Sequence, residues 1–161
     1  MKPLCFLLLA SLLLLAPRAT AEDKPAVPDR ETLIKQFERS MSGATLVGYY
    51  TMNGQEEKKG LKEDKYLLKS VKKLKHGDFW EFEWQYGEGG KTGTLPVEVK
   101  WAGDTPVITL TDVLVPGFGT FSARVLFYRH EYAGTWSASD HGGRMFGKVV
   151  LAHNDQGQRL P

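Results

Sequence analysis

The stretch FWEFEWQY, residues 79–86, decides what kind of fold this chain forms. Trp80, Phe82, Trp84 and Tyr86 fall on every second position, with Glu81, Glu83 and Gln85 between them. Successive side chains of a β-strand point to opposite faces, so a period of two puts the four rings on one side and an acidic row on the other. A helix would scatter the same rings around its circumference. The stretch reads as a half-buried strand whose aromatic face needs a core to cover it.

The same rhythm continues on both sides. Leu95, Val97, Val99 and Trp101 alternate with Thr94, Glu98 and Lys100, and Phe121, Ala123, Val125 and Phe127 alternate with Ser122, Arg124 and Tyr128. Residues 106–115 are apolar on both faces, which suggests a strand covered on both sides, by the amino-terminal helix for instance. Residues 64–74 are ambiguous: Leu67, Leu68, Val71 and Leu74 fit a helix, while Tyr66, Leu68 and Leu74 make a poorer strand alternation. The hairpins on either side favour a strand there, because local propensity yields to tertiary context. Turn signals at Asn53-Gly54, Gly87–Gly90, Ala102–Asp104, Pro116–Gly119 and Asp140–Gly143 leave no room for the crossover helices of parallel strands. Eight antiparallel strands follow, at 44–52, 64–74, 78–86, 94–101, 106–115, 119–129, 131–138 and 143–151. An open sheet of that size exposes two edges, so an all-β, eight-stranded up-and-down barrel is the expected fold.

A short helix precedes the strands. Asp29 caps it, Leu33, Ile34, Phe37 and Met41 form its apolar stripe, and Gly43 ends it, giving a helix over 29–42 that plugs or flanks one end of the barrel. Ahead of it, residues 22–28 read as a linker. Residues 1–21 read as a secretory signal peptide: Lys2, an apolar run from Leu4 to Ala16, and Ala19-Thr20-Ala21 before Glu22-Asp23. Residues 29–161 then form a single barrel domain, exported to the periplasm or outside the cell. Cleavage removes Lys2, Arg18 and the lone cysteine, Cys5, leaving 19 basic against 19 acidic residues. A chain without net positive charge has no broad field for nucleic acid or anionic membranes, and no stable membrane insertion is expected after cleavage.

The stretch YAGTWSASDHGGRMFG, residues 132–147, sets serine, aspartate and histidine side by side. A hydrolytic triad converges from separate parts of a fold, whereas Ser139, Asp140 and His141 alternate faces along one short segment. The segment is therefore a turn, with Gly142 and Gly143 expected to supply positive φ. Tyr132, Gly134 and Trp136 share one strand face, and Gly134, like Gly147 on the next strand, leaves room for a neighbouring backbone or ring. Together with VKWAGDTPVITLTD and PGFGTFSARVLFY, this segment resembles a family of uncharacterised exported bacterial proteins. More loosely, the eight strands with Gly134-Thr135-Trp136 are similar to the lipocalin and calycin superfamily, which implies a cup-shaped barrel that often holds small apolar molecules. The lipocalin signature lies on the first strand, however, and here that strand carries Gly48-Tyr49-Tyr50.

Other constellations have plain structural explanations. His76, His130, His141 and His153 show no close ligand spacing, so no metal site and no cofactor are expected. Glu81 and Glu83 read as an outer solvated face, paired across strands with Lys69, Lys73, Lys100 or Arg124. The lysines of 58–75 alternate with Glu56, Glu57, Glu63 and Asp64 and read as a solvated hairpin. Pro116-Gly117 fits the centre of a type II turn, leaving Phe118 at a loop tip as a portal or partner contact.

The expectation from sequence is thus a non-enzymatic exported barrel that binds a small apolar or amphipathic molecule, with Trp80, Trp84, Trp101, Phe121, Phe127 and Trp136 as candidate lining residues. The alternative is a protein-interaction or inhibitor module whose barrel is filled by those same rings.

Overall fold

A computed structural model describes residues 28–55 and 60–152 of the chain. The signal-peptide reading, the linker up to Val27, Lys58 and His153 lie outside these residues. One helix, α1 (Arg30–Met41), precedes eight strands: β1 (Thr45–Tyr50), β2 (Lys62–Lys73), β3 (Phe79–Tyr86), β4 (Thr92–Ala102), β5 (Thr105–Val115), β6 (Gly119–Tyr128), β7 (Glu131–Ser137) and β8 (Gly142–Val150). Each strand pairs antiparallel with the next, and β8 returns to β1 to close the barrel. Closure leaves no free edge, as the strand count implied.

The alternation read from sequence fixes which way the strands face. Trp80, Phe82 and Trp84 are buried while Glu81 and Glu83 are exposed, and Leu95, Val97 and Val99 join them in the core. Glu81 and Glu83 sit on the outer face as expected, but opposite Lys72 and Ser70 of β2. The outer ion pairs form elsewhere, from Lys100 to Glu98 at 2.8 Å and to Asp78 at 2.9 Å.

Two bulges explain where the period of two failed. In β2 the register shifts between Leu68 and Ser70, so Tyr66 and Leu68 face inward before the break and Val71 after it. An extra residue exchanges the faces beyond it, which made the segment look half helical. The second shift lies between Leu110 and Val113, where Asp112 takes a φ of 51°. Residues 106–115 are therefore not covered on both sides: the inward set passes from Ile108 and Leu110 to Val113 and Val115, and Leu114 is left exposed outside. Ser122 holds this bulge through Asp112, and Arg124 donates to Leu110 O and Thr111 Oγ1, which occupies the guanidinium expected to pair with the glutamates.

The helix closes one end. Asp29 caps it, its side chain accepting from the Thr32 amide at 3.0 Å, and Leu33, Phe37 and Met41 are buried. Phe37 enters the barrel, with its ring centroid 5.1 Å from Trp80, 5.9 Å from Trp101 and 6.2 Å from Phe127. The turn after α1 is tied to the β2 bulge: Ser42 Oγ accepts from Val71 N and donates to Val71 O, and Gly43 N donates to Leu68 O. These bonds fix the plug on β2 rather than on β5.

Candidate functional site

The six candidate rings separate into two groups at opposite ends of the barrel. Trp80, Trp101 and Phe127 surround Phe37 at the plugged end. Trp80 is fully buried and Phe127 nearly so, so these two are core packing; Trp101 is half-buried, with the Arg30 guanidinium 4.9 Å from its ring. Trp84, Phe121 and Trp136 lie toward the open end, where Phe121 and Trp136 are half-buried with centroids 6.1 Å apart. Phe118 is 38 % exposed at the loop tip. Its ring nevertheless turns inward, with centroids 5.8 Å from Trp84 and 5.6 Å from Tyr86. The turn beneath it has the expected geometry, with Gly117 at φ 79° and Phe118 N donating to Val115 O.

Sequence reasoning missed the polar centre of this open half. Asp64 is only 4 % exposed although it sits in the lysine-rich stretch read as a solvated hairpin. It stands on the inward face of β2 with Tyr66 and Leu68, opposite Gly48 of β1. Gly48 in turn pairs with Gly147 of β8, and Gly147 with Tyr132 of β7. The row Asp64, Gly48, Gly147, Tyr132 thus has side chains only at its two ends. The Tyr132 ring lies across the gap: a Cβ built on Gly147 would meet its Cε1 at 2.8 Å, and one on Gly48 its Oη at 2.6 Å. The room that Gly147 was expected to leave for a ring is taken by Tyr132.

Burial determines the electrostatics. It pushes the Asp64 carboxyl from its ordinary 3.8 up to about 6, with the facing Tyr66 hydroxyl partly offsetting the effect. Burial, and then the Asp64 charge, push Tyr66, Tyr86 and Tyr132 upward as well, so the phenols stay neutral around it. Among the described residues Asp64 forms no ion pair; Lys62 at the rim is turned to the Tyr50 ring, 5.7 Å from its centroid. Asp64 Oδ1, Tyr132 Oη and Trp136 Nε1 are buried without a hydrogen-bond partner within the protein. Buried polar atoms are normally paired, so three orphans in one barrel interior call for an explanation.

The Ser139-Asp140-His141 segment is a turn. Ala138 N donates to His141 O, and the exposed His141 Nδ1 pairs with Asp140 Oδ1 at 2.6 Å. Its glycines play a different part from the one expected. Neither Gly142 nor Gly143 has positive φ; a Cβ on Gly142 would lie 2.7 Å from Trp136 O, and one on Gly143 would strike Thr51 O. Close strand approach requires them. Positive φ appears instead at Arg129 and His130, between β6 and β7. Among the described residues no three His, Cys, Asp or Glu side chains gather as metal ligands.

The chain matches no family model, no curated protein and no solved structure. The closed eight-stranded barrel is shown by the strand pairing, and an architecture by itself does not carry function.

A cleft of about 540 Å³ opens at the plugged end, lined by Leu33, Phe37, Trp101, Pro106 and His130 among others. The orphaned groups Asp64, Tyr132 and Trp136 lie outside its lining.

Proposed function

We propose that the protein binds a small apolar or amphipathic molecule in the open half of its barrel. One observation carries this reading: the inward-facing Leu110, Val113, Val115, Phe121, Trp136 and Met145 are only half-buried, whereas Trp80, Phe82 and Phe127, which surround Phe37 at the other end, are buried. An eight-stranded barrel has room for its own side chains or for one small ligand. Here the helix fills one half, and among the described residues the inward side chains of the other half stay partly exposed, with aromatic walls and a few polar groups, the composition of a ligand pocket.

Titration with Nile red, a neutral hydrophobic dye, tests the reading. Dye fluorescence should rise, tryptophan emission should change and the melting temperature should increase. Trp136→Leu should weaken binding several-fold while Trp101→Leu, at the plugged end, leaves it unchanged. Unaltered emission and melting temperature at saturating dye would overturn the proposal.

A second reading, a protein-interaction module, is favoured by one feature of the outer surface. Tyr49, Phe146, Ala133 and Leu126 follow one another along a ladder row from β1 through β8 and β7 to β6, and all are exposed. A continuous apolar row of this kind suits contact with another protein surface. Phe146→Ser with Leu126→Ser would then release a partner, or reduce self-association in sedimentation, without affecting Nile red binding.

A further inference from the structure

Resting on the reading of the open half as a binding chamber, we infer that its ligand is a primary ammonium on an apolar body, the ammonium seated between Asp64 Oδ1 and Tyr132 Oη. Both oxygens are buried, both lack a partner, and both accept hydrogen bonds. Gly48 and Gly147 add no side chains to the row between them, and the Tyr132 ring enters that space and brings its Oη to the Gly48 position, opposite Asp64, so the two unpaired oxygens belong to one polar spot. An alkylammonium has three N–H donors, enough to satisfy both oxygens at once. A carboxylate ligand has none.

Charge points the same way. A carboxylate buried without a cation is costly, and an incoming cation removes that cost where a neutral ligand does not. The walls add to the preference. Tyr66 and Tyr86, with centroids 5.1 Å apart, and Tyr50 at the rim present ring faces that attract cations and repel anions. The Lys62 ammonium, already placed against Tyr50, shows that a rim ring takes such a group. The apolar body then lies toward Phe121, Trp136 and Met145.

Three ligands of equal chain length separate this inference from the reading beneath it: n-octylamine, n-octanol and n-octanoate, titrated at pH 7.5 by tryptophan emission and calorimetry. Octylamine should bind at least about tenfold tighter than octanol, as expected of a hydrogen bond to a buried charged group, and octanoate weakest. Asp64→Asn should abolish the preference while keeping octanol binding. Should that variant fail to fold, the wild-type pH profile serves instead. Octylamine affinity should fall between pH 7 and pH 5 as Asp64 protonates, because the groups facing it from β2, β3, β7 and β1 are Tyr66, Tyr86, Tyr132 and Tyr50, with Lys62 at the rim. Equal affinities for octylamine and octanol, or tighter octanoate, overturn the ammonium inference but leave the chamber intact. No octylamine binding also overturns it, and the Nile red titration then decides whether the chamber reading falls too.

Discussion

Asp64 lies opposite Gly48 in the β1–β2 ladder, so a carboxyl buried inside the barrel faces a position that has no side chain. The fold gives this acid neither a cation nor a complete set of hydrogen bonds, and stability must respond to its charge.

Asp64 should make the protein less stable as pH rises. Its folded value, about 6, lies above the ordinary 3.8, so between these values the folded state binds more protons than the unfolded one. The stabilising contribution is present below about pH 4 and is lost as pH rises through about 6, a change of about 3 kcal/mol. Urea denaturation across pH 4 to 8 should show this decline superimposed on the behaviour of the other carboxylates, and Asp64→Asn should remove it. The amide is neutral but still polar and buried, so the variant's gain at pH 7.5 should be smaller than about 3 kcal/mol.

Gly147→Ala should be among the most damaging single-methyl changes. Its Cβ would meet Val47 O, the Gly48 Cα at 2.6 Å and the Tyr132 ring. A flexible side chain can move aside; the carbonyl of a paired strand cannot without opening the β1–β8 ladder. A loss of about 3 kcal/mol is expected in chemical denaturation. Combining it with Tyr132→Ala should not restore stability, because the backbone collision remains. Recovery in the double variant would show that the ring alone was the obstacle.

The residues that made the fold legible are those whose alternation runs unbroken, Phe79–Tyr86 above all, together with Leu95–Trp101 and Phe121–Phe127. Each strand reports its own inward face, and turn signals between them exclude crossovers. Legibility stopped at Lys69 and at Asp112, where one extra residue reverses the faces and a simple period fails. The polar centre was hidden for a related reason. Asp64 has the parity of Tyr66 and Leu68, which is the signal that would have placed it inside. Its neighbours Glu63 and Lys65 gave the segment the composition of a solvated hairpin, and composition outweighed parity. Gly48 and Gly147 become informative only once the ladder sets them side by side under Tyr132.

Phe37→Ala should unseat the plug. The ring is buried and touches Trp80, Phe82, Trp101 and Phe127, so its removal leaves a cavity that barrel strands cannot close. The expected cost is about 3–5 kcal/mol. Tryptophan emission should shift to the red as water reaches Trp80. Binding of Nile red at the opposite end should persist at temperatures where the variant remains folded, because none of the open-end rings contacts Phe37 among the packed pairs.

Phe118→Ala should separate access from stability. The loop tip is held by Lys91, whose Nζ donates to Gly117 O at 2.6 Å and lies 4.6 Å from the Phe118 ring, while the ring itself leans on Trp84 and Tyr86. Being partly exposed, the ring contributes modestly, and its loss should cost no more than about 1 kcal/mol. A ring at that position covers Trp84 from the solvent side, so a ligand leaving the chamber has to pass or displace it. Stopped-flow displacement of Nile red should therefore show dissociation several-fold faster in Phe118→Ala, with association accelerated by a similar factor and equilibrium affinity nearly unchanged. A large loss of affinity at constant association rate would instead place Phe118 among the ligand's own contacts, and an unchanged pair of rates would move the entry route away from this rim.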